Sequence, residues 1–105
     1  MNDCSLDTIG NHNREVRGFI IRILANCQNN TAPVVQLSNV LLQRNLIISP
    51  DISKYLDYLH EKGYIRFLPD RVTAYNAYSK NATVKLTCDG SDLYDQTKDD
   101  DGVDL

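Results

Sequence analysis

The stretch Ser49-Pro50-Asp51-Ile52-Ser53-Lys54-Tyr55-Leu56-Asp57-Tyr58-Leu59-His60-Glu61-Lys62-Gly63-Tyr64-Ile65 decides how this chain folds. Ile52, Tyr55, Leu56 and Leu59 follow at steps of three, one and three, which lines them along one face of a helix. A start signal precedes them. Ser49 has a hydroxyl suited to an N-cap, Pro50 suits the first helical position, and Asp51 favours the positive end of the helix dipole. Gly63 after Lys62 supplies the left-handed residue on which helices commonly end. These signals predict a helix over residues 50–62 with a buried apolar stripe and a polar outer side.

Working upstream, Val16, Phe19, Ile20, Ile23, Leu24 and Cys27 repeat the helical spacing and predict a first helix over residues 13–28. Thr31-Ala32-Pro33 reads as the entry to a second helix, with Val34, Leu37, Val40 and Leu41 as its stripe and an end near Arg44. Asn45-Leu46-Ile47-Ile48 suits a tight turn that buries Leu46 or Ile47. Downstream, Tyr64-Ile65-Arg66-Phe67-Leu68 is β-prone and aromatic, and Val84-Lys85-Leu86-Thr87 alternates as an antiparallel partner would. Thr87 is placed to cap a short last helix over residues 88–95, anchored by Leu93 and Tyr94. Residues 1–13 are polar and read as a flexible leader, and residues 96–105 as an acidic disordered tail. Residues 14–95 form the expected domain.

Helix, helix, turn, helix and β-hairpin is the order of a winged helix-turn-helix domain, mainly α with a β-hairpin wing (α+β). In such a unit the third helix packs by one stripe and leaves its far side free for a major groove about 12 Å wide. The residues 49–65 resemble the stretch shared by bacterial winged-helix regulators of the MarR and ArsR type, in which a Ser-started recognition helix runs through Leu-x-x-Leu and Lys-Gly into the wing. Leu86-Thr87-Cys88-Asp89-Gly90 is similar to the segment that follows the wing in the same families. The end, Leu93-Tyr94-Asp95-Gln96-Thr97 and then Asp100-Asp101-Gly102-Val103, also resembles small winged-helix proteins of Mu-like bacteriophages. The resemblance implies a DNA-binding transcription regulator, with residues 50–62 in the major groove and the wing, residues 64–87, on the backbone.

The candidate DNA-binding residues are then Ser49, Ser53, Lys54, Asp57 and Tyr58 around the third helix, and Arg66, Arg71 and Lys80 in the wing, interleaved there with Tyr75 and Tyr78. Asp51, Asp57 and Glu61 count against a strong phosphate grip by that helix, although a carboxylate can accept from cytosine N4. The net charge of −3 hides an uneven distribution: residues 89–105 sum to −6 and the remainder to +3. An acidic helix face or tail also fits a second reading, a winged helix used for contact with a basic protein partner. Homodimers are common among DNA readers of this kind, and the first and last helices are the candidate surfaces here.

Several chemistries lack their residues. His60-Glu61 opens a zinc-protease pattern that fails at Tyr64, where the second His belongs. The paired-cysteine sensor motif of metal-responsive ArsR proteins is missing, and Cys4, Cys27 and Cys88 stand far apart. No Gly-rich phosphate loop is present, and the Asp-rich tail lacks the spacing of a calcium loop. The sequence therefore predicts no enzyme activity, no cofactor and no metal. No apolar run approaches the roughly 20 residues that cross a bilayer, and residues 1–13 do not read as a secretory signal, so a cytoplasmic protein without membrane contact is expected.

Overall fold

A computed structural model describes the backbone of residues 2–96 and 100–105, and side chains from residue 11 onward. It contains α1 (Asn2–Ala25), β1 (Thr31–Pro33), α2 (Val34–Gln43), α3 (Ser53–Glu61), β2 (Ile65–Leu68), β3 (Thr83–Leu86) and α4 (Cys88–Tyr94), with a 3-10 turn at Gln28–Asn30. The three strands form one antiparallel sheet in the order β1-β3-β2. Among the described residues, four α-helices and this sheet make a compact α+β fold.

The α3 stripe faces inward. Ile52, Tyr55, Leu56 and Leu59 are all buried, and they join Val16, Ile20, Ile21 and Leu24 of α1, Leu37 and Leu41 of α2, and Phe67, Val84 and Leu86 of the sheet. The sheet alternates as half-buried strands do: Ile65 and Phe67 point in while Arg66 and Leu68 point out. Opposite them, Val84 and Leu86 point in and Lys85 points out. The end of α3 is closed by a left-handed residue. Gly63 has φ +80°, its N–H donates to the His60 carbonyl at 3.0 Å, and Tyr64 N–H donates to the Leu59 carbonyl at 2.9 Å.

Four boundaries differ from expectation. Helix α3 begins at Ser53, not Pro50, because Pro50 is held elsewhere: its carbonyl accepts a 2.6 Å hydrogen bond from the buried Ser38 hydroxyl of α2. The N-cap position falls on Ile52, which makes no side-chain cap bond; Asp51, one residue earlier, accepts from Ser53 N–H at 3.0 Å, and Ser49 does not cap the helix. Thr31-Ala32-Pro33 is a strand before it is a helix entry, pairing with Lys85, Val84 and Thr83 of β3. It occupies a sheet edge, where a proline costs no ladder bond. Residues 2–13 belong to α1 and are not a loose leader, and α1 stops at Ala25. A helix anchored by the Val16–Leu24 stripe extends toward its N-terminus at one backbone bond per residue without the nucleation cost.

The tail differs too. Residues 100–105 lie against the body, with Val103 buried and Asp104 N–H donating to the Arg14 carbonyl at 3.1 Å. Met1 and residues 97–99, parts of the expected leader and tail, fall outside the described residues.

Leu59 has no exposed surface and sits where α3 meets the core. Leu59→Ala is expected to cost about 2–5 kcal/mol of unfolding free energy. Urea denaturation measures this as a lower midpoint at unchanged slope.

Candidate nucleic-acid interface

The outer side of α3 carries Ser53, Lys54, Asp57 and Glu61, a consequence of the buried stripe taking the opposite side. Lys54 is exposed, with Nζ 5.0 Å from the centre of the Tyr55 ring. Ser53 is half-buried, and its hydroxyl donates to Asp51 Oδ1 at 2.5 Å. Together with the Ser53 N–H this hydrogen bonding holds the Asp51 carboxyl below its ordinary range. Ser49 lies exposed in the turn before the helix, its Oγ accepting from Asp51 N–H at 3.4 Å.

Residues 69–82 join β2 to β3 within the stretch expected as the wing, residues 64–87. They fold onto the core. Val72, Ala74, Ala77 and Ala82 are buried, Lys80 N–H donates to the Asn76 carbonyl at 2.9 Å, and Ala82 N–H donates to the Ala77 carbonyl at 2.9 Å. Asn76 Oδ1 also accepts from Thr73 N–H at 2.8 Å. Three alanines and a valine are small enough to let this connection lie close to the body. It leaves Tyr75 and Tyr78 exposed beside the start of α3, where they line an open depression of about 320 Å³ with Pro50, Asp51, Ser53 and Ser79. Tyr75 donates its hydroxyl to Asp57 at 3.4 Å. The negative charge of Asp57, and less that of Glu61 and Asp51, raises the Tyr75 pKa above 10.

The cations of this region divide. Arg66 forms an exposed ion pair with Asp70 at 3.1 Å, so part of its charge is already answered. Lys85 faces Arg66 across the β2–β3 pair on the outer side of the sheet. Arg71 and Lys80 line a shallow depression of about 410 Å³ with Pro69, Val72 and Asn76. Neither has an ion-pair partner among the described residues.

Tyr58 is not on the open face. It turns from α3 toward α1, half-buried, with the Arg17 guanidinium 4.0 Å above its ring and Lys62 Nζ 5.5 Å from it. Its hydroxyl donates to Asp100 Oδ1 at 2.8 Å, and the Tyr64 hydroxyl donates to Asp100 Oδ2 at 2.6 Å. Arg17, Tyr64 and Asp100 were not among the sequence candidates. One signal was available: Gly102 and Val103 interrupt an otherwise acidic run, and an apolar residue in a tail asks for a burial site. Burial alone would raise the Asp100 pKa, but hydrogen bonds from Tyr64, the Gly102 N–H and Tyr58, together with the charge of Lys62, hold it below 3.8. Tyr58 and Tyr64 are pushed above 10, first by burial and then by donating to that carboxylate.

Among the described residues no three His, Cys, Asp or Glu side chains converge as metal ligands would, and no helix is long and apolar enough to cross a membrane. No protein-family model matches the chain, and no curated protein or solved structure matches it.

The pKa directions set two pH limits. Asp100, depressed in the fold, contributes stability that is complete above pH 3.8 and is lost as pH falls through its lower folded value. Tyr58 and Tyr64, raised in the fold, contribute stability that is complete below pH 10 and is lost as pH rises through their folded values. In an alkaline absorbance titration, Asp100→Asn is expected to bring Tyr58 and Tyr64 back toward pH 10 and to leave Tyr75 unchanged.

Proposed function

We propose that this protein is a winged helix-turn-helix module that binds double-stranded DNA, acting as a transcription regulator of the bacterial or phage kind. One observation carries the reading: the element order α1-β1-α2-α3-β2-β3 closes into a sheet of order β1-β3-β2, with the inner stripe of α3 buried and a long β2–β3 connection beside its outer side. That arrangement suits a helix laid in a major groove with a hairpin against the adjacent backbone.

Affinity and specificity fall to different parts. Arg71 and Lys80 on the connection, with Lys85 and the ion-paired Arg66 on the outer sheet face, are the phosphate contacts. Ser53, Lys54 and Asp57 are the α3 groups placed for base edges, Asp57 as an acceptor for cytosine N4. Asp51, Asp57 and Glu61 repel phosphate, so the helix reads and the hairpin holds.

A second reading rests on the exposed Tyr75 and Tyr78 beside Asp51 and Asp57, an aromatic and acidic surface suited to a basic protein segment.

Titration of random duplex DNA over a range of salt concentrations separates the two. A DNA binder loses log affinity linearly with log salt, at about 0.9 per neutralised phosphate. Replacing both Arg71 and Lys80 by Ala is expected to flatten that slope by about 1–2. Absence of binding at about 50 mM salt overturns the DNA reading and leaves the protein-contact surface.

A further inference from the structure

Between α1 and α3, beside Tyr58, stand Arg17, Lys62 and the Tyr64 hydroxyl, which no part of the DNA reading has used. Tyr58 and Tyr64 point their hydroxyls at the two oxygens of one carboxylate, that of Asp100. The Gly102 N–H donates to the same Oδ1 at 2.7 Å. Arg17 lies flat on Tyr58, and Lys62 stands at the rim. These are the donors of an oxyanion clamp, and a carboxylate fills it.

The fit of Arg17 is incomplete. Its Nη1 donates to the Gly102 carbonyl at 3.0 Å, a neutral acceptor, and its buried Nε has no hydrogen-bond partner among the described residues. A guanidinium fork is matched best by two oxygens of one anion, and phosphate offers them. A buried donor without an acceptor is costly, so the segment in place is an imperfect ligand for this arginine.

The channel also has the right position. Tyr58 and Lys62 lie on one flank of α3, about 100° and 140° round the helix from Asp57 at 100° per residue, while Tyr75 reaches Asp57 itself on the open side. A helix with its side chains is about 10–12 Å across and the major groove about 12 Å wide, so a seated helix has a phosphate strand along each flank.

We propose that the α1–α3 channel formed by Arg17, Tyr58, Lys62 and Tyr64 is a second DNA-phosphate site, occupied in this structure by the protein's own residues 100–105. The acidic segment is a competitor in cis: Asp100 takes the place of a phosphate, and Val103 and the backbone bond from Asp104 to Arg14 hold it seated. Two glycines admit it. A Cβ on Gly102 would collide with the Tyr58 hydroxyl, and one on Gly18 would collide with the Asp104 carbonyl. The inference rests on the DNA reading and places a regulated site within it.

Gly102→Ala in the full chain is expected to displace the segment, since its Cβ meets Tyr58, while it substitutes none of the four channel residues. Its release is read independently, as a fall in the Tyr58 and Tyr64 titration points. Duplex DNA is then expected to bind about 10-fold more tightly at low salt, if the segment is seated about 90% of the time. The salt slope steepens by about 1–2 as Arg17 and Lys62 meet phosphate, and adding Arg17→Ala removes the gain. Asp100→Asn, which keeps the side-chain shape, gives the same direction of change and serves if Gly102→Ala does not fold. An unchanged affinity and slope on release, with the parent binding DNA, overturns the second site and spares the hairpin reading. A gain that survives Arg17→Ala also overturns it. Failure of the parent and all variants to bind DNA removes the DNA reading and this site with it.

Discussion

Burial of four side chains on one side of α3 orders the rest of the molecule. Ile52, Tyr55, Leu56 and Leu59 can leave water together only if α3 lies against α1, with β2 following directly from its end. Each fully buried large side chain gains roughly 1.5–3 kcal/mol relative to exposure, so rotating the helix forfeits several of these at once. The ends of α3 are fixed to match. Ser38 holds the Pro50 carbonyl before it, and Gly63 turns the chain sharply after it, through a conformation that a residue with a Cβ adopts only under strain. The inner side being spoken for, what the outer side presents follows from the sequence alone.

That dependence explains what was legible. The α3 stripe, the stop at Gly63, the alternation of Val84-Lys85-Leu86 and the cap at Thr87, which accepts from Gly90 N–H at 3.2 Å, are local signals whose period or chemistry appears within a few residues. The structure departs where the cause is non-local. Thr31-Ala32-Pro33 has no strand signature of its own and becomes a strand because β3 lies alongside. Residues 2–13 have no apolar period and are helical as the continuation of an anchored helix. Tyr58 looks like an outward residue by helical spacing, but its position on the flank of α3 lets α1 and the tail claim it. Among the candidate residues, Lys54, Arg71 and Lys80 are exposed as the sequence implied, while Arg66 spends part of its charge on Asp70, four residues away.

The acidic tail shows why composition misleads about order. Seven Asp residues with a single Lys after position 88 argue for solvation, since repulsion and low hydrophobicity oppose packing. Packing of residues 100–105 needs only a few exceptions within that run. Gly102 permits a close approach, Val103 supplies the apolar contact, and Asp100 accepts from the hydroxyls of Tyr58 and Tyr64. Deprotonated Asp100 is stabilised there by hydrogen bonding rather than by a direct ion pair, so its seating is less exposed to screening by salt than a surface pair would be.

Charge is thus arranged by element rather than averaged over the chain. The body is positive, yet α3 keeps carboxylates on its open side while Arg17 and Lys62 stand on its flank and Arg71 and Lys80 on the β2–β3 connection. In the proposed DNA reading, a duplex approaching this surface would meet repulsion along the axis of the helix and attraction at its edges. Such a pattern weakens sequence-independent sticking, because non-specific affinity comes almost wholly from neutralised phosphates. In that reading edge contacts become decisive: with a carboxylate at the centre, only a base edge that donates to Asp57 would offset the loss of that group's water. In the proposed reading, an acidic segment seated on one edge answers part of the positive charge there, so the formal charge of −3 does not describe the surface that a phosphate would meet.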